Sequence, residues 1–92
     1  MIGVMMERMF ALTPTDLREL DCRFTYHRPS GDQPQRYEEI RSRARVLARF
    51  LLQQTPLSRE QETAIARLEE CVMWANAAIA RRENAEREQD DV

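Results

Sequence analysis

Few side chains in this 92-residue chain could do chemistry. The single histidine, His27, sits in the stretch HRPSGDQP with no second histidine and no carboxylate cluster nearby. That makes it a structural hydrogen-bonding group before it is a ligand contact. Cys22 and Cys71 have no CxxC and no zinc-like spacing, and both read as reduced thiols. There is no GxSxG, no HExxH and no glycine-rich phosphate loop. With two glycines in all, the backbone cannot build a phosphate cradle. The expectation is a protein that is not an enzyme and needs no cofactor or metal. What remains is binding chemistry. All fourteen cationic residues are arginine, whose planar fork suits phosphate and stacks on bases. The same bias follows from GC-rich coding. Tyr26 lies just before the loop, and Arg41 lies two turns into a helix. On composition alone, Tyr26 reads as a packing aromatic and Arg41 as a solvated charge.

The elements that must position these groups are helical. Ser58 to Arg82 is one long amphipathic run without proline or glycine. Ser58 and Gln61 have the spacing of a capping box. Ile65, Leu68, Val72, Ala75 and Ile79 step 3-4-3-4, a seam that wants a partner helix. Tyr37, Ile40, Ala44, Leu47 and Leu51 repeat that spacing in a helix predicted from Gln33 to Gln54, with Asp32 as its cap. Thr55, Pro56 and Leu57 are too short a link for anything but an antiparallel helical hairpin. Upstream, Thr13 to Leu20 predicts a short helix capped by Thr13 with Pro14 at its first position. Arg23 to Tyr26 reads as extended or irregular. The chain thus divides into an N-terminal segment (1–23), a hairpin domain (24–84) and a polar acidic tail (85–92).

Ninety-two residues make at most one domain, and one so short rarely stabilises itself with a single core. Two helices can bury only their facing seams. Val46, Phe50, Cys71, Trp74 and Ala78 would be left partly in water, which forgoes roughly 1.5–3 kcal/mol for each larger side chain. The all-α hairpin is therefore expected to form a homo-oligomer, most simply through a two-fold interface, unless residues 1–24 fold back over the patch. A net charge of −2 argues against duplex nucleic acid and anionic membranes as partners. No stretch approaches the roughly 20 apolar residues of a membrane span, so a cytosolic location is expected. Two other readings stay open. One is a protein-interaction module using Trp74; the other is an arginine helix that binds nucleic acid through Arg41, Arg45 and Arg49.

The stretches FTYHRPSGDQPQRYEEIRSRARVLA and PLSREQETAIARLEECVMWANAAIARRE resemble a family of small phage proteins. These are the helical-hairpin sponges that counter bacterial defence. Anti-CBASS members sequester cyclic oligonucleotides, and anti-Thoeris members sequester cyclic ADP-ribose isomers. The resemblance spans about residues 24–83. It implies a homohexamer built as a trimer of dimers, acting in the host cytoplasm without catalysis. It also implies a cyclic dinucleotide held between two protomers, with Tyr26 stacking on a base and Arg41 meeting a phosphate. A member of the family has lysine at the second position, so Arg41 keeps the charge but changes the donor geometry. His27 beside Tyr26 is a further candidate contact. Some members carry a separate pocket for cyclic trinucleotides, for which Arg59, at a helix start, is the candidate.

Overall fold

The computed structural model describes residues 10–83. The Met-rich start and the acidic tail expected beyond them lie outside the described residues. Within them, the fold is three helices and no strand: α1 (Pro14–Phe24), α2 (Gln33–Gln54) and α3 (Arg59–Ala78), the last running into a π-helical turn, Ile79–Glu83.

Each helix starts where its local chemistry dictates. Thr13 caps α1: its Oγ1 accepts from the Asp16 amide at 3.0 Å, and Asp16 Oδ2 accepts from the Thr13 amide at 2.9 Å. These bonds hold the Asp16 carboxyl below its ordinary range, the backbone N–H of Thr13 most of all. The helix runs on to Phe24, four residues past the expected end, and the chain leaves it extended at Thr25. The extra turn carries Cys22 and Arg23 and is fastened to the end of α3, a long-range tie that local propensity cannot anticipate.

At the start of α2, Asp32 makes no side-chain cap. Gln33 closes the preceding turn instead: its Oε1 accepts from the Ser30 amide and its own backbone amide donates to the Ser30 carbonyl, both at 3.0 Å. Gly31 between them sits at φ 57°, a left-handed conformation that glycine adopts freely. At α3, Ser58 Oγ accepts from the Gln61 amide at 3.1 Å, as the spacing predicts. The reciprocal half of the box does not form. Gln61 Nε2 crosses the turn instead, donating to the Thr55 carbonyl at 2.9 Å and to Thr55 Oγ1 at 3.0 Å.

The hairpin is antiparallel. Gln61 at the start of α3 meets the end of α2, while Gln33 and Arg36 at the start of α2 meet Glu83 at the far end of the π turn. The inward positions follow the two predicted seams with one change: Leu47 is exposed and Ala48 turns inward. At about 100° per residue, Ala48 lies only about 40° round the helix from Ala44 while Leu47 lies about 60° off on the other side, so the seam passes through Ala48. The hairpin is one layer thick, with a smallest extent of 15 Å. Ile79 is the single buried apolar side chain among the described residues, while Val46, Phe50, Met73 and Trp74 stay exposed. Residues 10–24 do not cover that patch; Phe10, Leu12, Leu17 and Phe24 are themselves exposed.

Candidate functional site

The π turn is where the three helices are tied together. Glu19 of α1 bridges to Arg82 at 2.6 and 3.1 Å and to Arg23 at 2.9 Å. Hydrogen bonds from Arg82, then from Arg23, hold its carboxyl at about 2. The free thiol of Cys22 donates to the Arg81 carbonyl at 3.3 Å. On the other side Arg36 grips Glu83 bidentately at 2.7 and 3.0 Å, and the fully buried Gln33 adds a third bond to it at 3.1 Å. The wider π winding presents Arg81, Arg82 and Glu83 to these different neighbours.

Docking α1 there forces the following chain, Thr25 to Pro29, across the open end of the hairpin. His27 is pinned by its Nε2–H, 2.6 Å from the Cys22 carbonyl. That is the structural role its isolation suggests, and it leaves the other ring edge facing the same space as Tyr26. The result is a cleft of about 450 Å³. Tyr26 and His27 come from the loop, Tyr37 and Arg41 from α2, Met73, Asn76 and Ala77 from α3, and Ala80 and Arg81 from the π turn, with Arg23 at the edge. Tyr26 is 83% exposed, its ring free for stacking. Three guanidinium groups rim the space and no carboxylate lines it. Arg41 is held from outside by Glu38 at 2.9 Å, and Arg81 has no ion pair among the described residues.

Two further hollows adjoin the cleft. Arg23, Arg81 and Arg82 surround one of about 290 Å³ beside Trp74. The other, about 450 Å³, is an apolar groove between α2 and α3 that Arg41, Met73 and Asn76 share with the main cleft. Trp74 is therefore not a core anchor within one chain; its indole N–H makes only a long 3.4 Å contact to Glu70.

Three of the four sequence candidates, Tyr26, His27 and Arg41, thus line one cleft. Arg59 does not. It opens α3, fourteen residues before Met73, roughly 20 Å away along the helix axis. The sequence reading missed Arg23, Arg81 and the small floor of Ala77 and Ala80. The alanines were a usable signal, because small side chains one turn apart on an otherwise bulky helix leave room for something else. Among the described residues no group of histidine, cysteine and carboxylate side chains could hold a metal, and no helix is long and apolar enough to cross a membrane.

Arginines and an exposed aromatic ring thus line a cleft at the open end of a helical hairpin, a lining whose chemistry suits anionic, ring-bearing molecules. Residues 16–80 match the Acb2/Tad1 hairpin domain, and the chain belongs to that family, the anti-CBASS and anti-Thoeris sponges. At the level of the family this is an anti-defence domain that binds nucleotides. No curated protein and no solved structure matches the chain.

Proposed function

We propose that this chain sequesters cyclic oligonucleotide second messengers, cyclic dinucleotides such as cyclic GMP–AMP first, and so starves the CBASS effector of its activator in the host cytoplasm. The mechanism is stoichiometric binding without catalysis. The observation that carries the reading is that Tyr26 and Arg41, far apart in sequence, line the same cleft. Tyr26 stacks on a base and Arg41 meets a phosphate. The working form is a homo-oligomer, a hexamer arranged as a trimer of dimers. The exposed Val46, Phe50 and Trp74 support self-association, because a layer with one buried apolar side chain has little to hold it alone.

Symmetry makes the site economical. A cyclic dinucleotide has two bases and two phosphates, and a two-fold interface supplies two Tyr26 and two Arg41. Two base stacks contribute roughly 2–6 kcal/mol. Nanomolar affinity needs about 12 kcal/mol. Arginine–phosphate contacts and desolvation therefore supply at least half, and Arg23 and Arg81 stand ready to share that work.

The test is a thermal shift and calorimetric titration with cyclic GMP–AMP, a linear dinucleotide, a cyclic trinucleotide and cyclic ADP-ribose isomers, with mass measured under native conditions. Cyclic GMP–AMP raises the melting temperature, the linear dinucleotide does far less, and Tyr26→Ala or Arg41→Ala each removes the shift. A stronger response to cyclic ADP-ribose isomers reassigns the ligand to the anti-Thoeris class. A pure hexamer that responds to none of them overturns the reading.

A further inference from the structure

Asn76 is out of place. It is the one carboxamide in the run Val72–Ala80, on a stretch of helix that is otherwise apolar and rich in alanine. Its Oδ1 is buried and has no hydrogen-bond partner among the described residues. An unpaired buried acceptor lowers stability, and such groups call for an explanation. Arg41 lines both hollows that Asn76 lines, so a guanidinium with five N–H donors borders the same space as an acceptor that has no partner. In the free chain that guanidinium points elsewhere. Its Nη2 is on Glu38 Oε2 at 2.9 Å, one turn back along the exposed face of α2.

We infer that Asn76 is a positioning residue for Arg41, and that Glu38 holds Arg41 away from it until ligand arrives. This rests on the sponge reading of the cleft. A phosphate entering beside Tyr26 competes with the Glu38 carboxylate for the same guanidinium. The exposed ion pair with Glu38 is weak, so little is lost when Arg41 leaves it. As Arg41 swings inward, one N–H reaches Asn76 Oδ1 and the remaining fork faces the phosphate. The unpaired oxygen of the free state becomes a bonded one only in the bound state, and its desolvation is recovered as affinity. Asn76 thereby exchanges stability of the free protein for ligand binding.

The experiment uses the full chain, with cyclic GMP–AMP as the first probe and the panel above as the others. Melting temperature is read without ligand, and Kd by calorimetry. Asn76→Leu removes the unpaired oxygen and raises the ligand-free melting temperature by about 4–8 °C, yet weakens binding about tenfold. Asn76→Ala, small enough for the alanine floor, weakens binding to a similar degree and serves if leucine does not fit. Glu38→Gln tightens binding about threefold, while Glu39→Gln, the same charge change beside it on Arg43, does not. In Arg41→Lys, whose single ammonium cannot hold an acceptor and a phosphate in one plane, the Asn76→Ala penalty falls below about threefold.

A ligand-free melting temperature that falls in both Asn76→Leu and Asn76→Ala overturns the inference, because the oxygen then has a partner already, on a second copy for instance. So does an unchanged Kd in Glu38→Gln, or a full Asn76→Ala penalty in Arg41→Lys, which would place Asn76 on the ligand itself. Wild-type chain that binds nothing in the panel overturns the sponge reading and this inference together. Binding that the Glu38 and Asn76 variants leave unchanged overturns this inference alone.

Discussion

The two ends of the hairpin solve the same problem differently. At the turn end, α2 and α3 are joined by neutral hydrogen bonds between near neighbours: Ser58 to Gln61, Gln61 to Thr55, Thr55 Oγ1 to the Leu51 carbonyl at 2.7 Å. Gln61 is buried there. At the open end the ties are ionic and span 47 to 63 residues, Arg36 with Glu83 and Glu19 with Arg82. Short neutral bonds set the register without leaving room. Long ionic ones hold elements apart, and the cleft lies in the space between them. One end is built for permanence and the other for a guest.

The comparison can be broken at either end. The largest effect on stability belongs to the closed end. Gln61→Leu leaves the Thr55 carbonyl without its donor and costs about 1–3 kcal/mol, seen as a drop in melting temperature that added salt does not change. The open end should respond with the opposite signature. Arg36→Ala separates the start of α2 from Glu83 and lowers the melting temperature by less. The difference from wild type shrinks as salt is raised, because the pair is partly exposed and screened. A salt-independent loss at Arg36 would erase the distinction between the ends. The smallest effect is on pH. Glu19 is held at about 2 in the folded chain against an ordinary 4.5. Its contribution is complete above about 4.5 and disappears as pH falls toward 2, since the folded value is the depressed one. Acid titration of stability should show a component over that window in wild type that Glu19→Gln lacks, with α1 amides losing exchange protection first.

The turn end and the three helices were almost fully legible. The 3-4-3-4 seams, Pro14 after Thr13 and Ser58 before the apolar run each place a boundary within a few residues, because periodicity and capping are local. The open end was legible only in its residue types. Tyr26 and Arg41 could be named through a family resemblance, yet nothing local brings Arg23 and Arg81 beside them. That depends on α1 running to Phe24 and on the π turn, both fastened by Glu19, Cys22 and Arg82 across more than fifty residues. Asp32 and Gln61 failed for a related reason. Each had the right spacing for a cap, but the Asp32 carboxylate turns to Arg36 at 3.5 Å and the Gln61 amide is drawn across the turn to Thr55. Arg59 was read at a helix start, and a helix start at the opposite end of the hairpin cannot reach the cleft.

The broad turn Ile79–Glu83 has one more consequence. There the Ile79 amide is shared between the Ala75 and Asn76 carbonyls, where the winding changes pitch. Shortening a chain by one residue near the end of a helix is ordinarily among the gentlest lesions, absorbed by fraying. Here, with the wide winding kept, it would rotate every later side chain by roughly a quarter turn away from its neighbour. Two clasps facing opposite ways would come undone at a single stroke, so this fold should tolerate a wrong letter at Ala80 far better than a missing one.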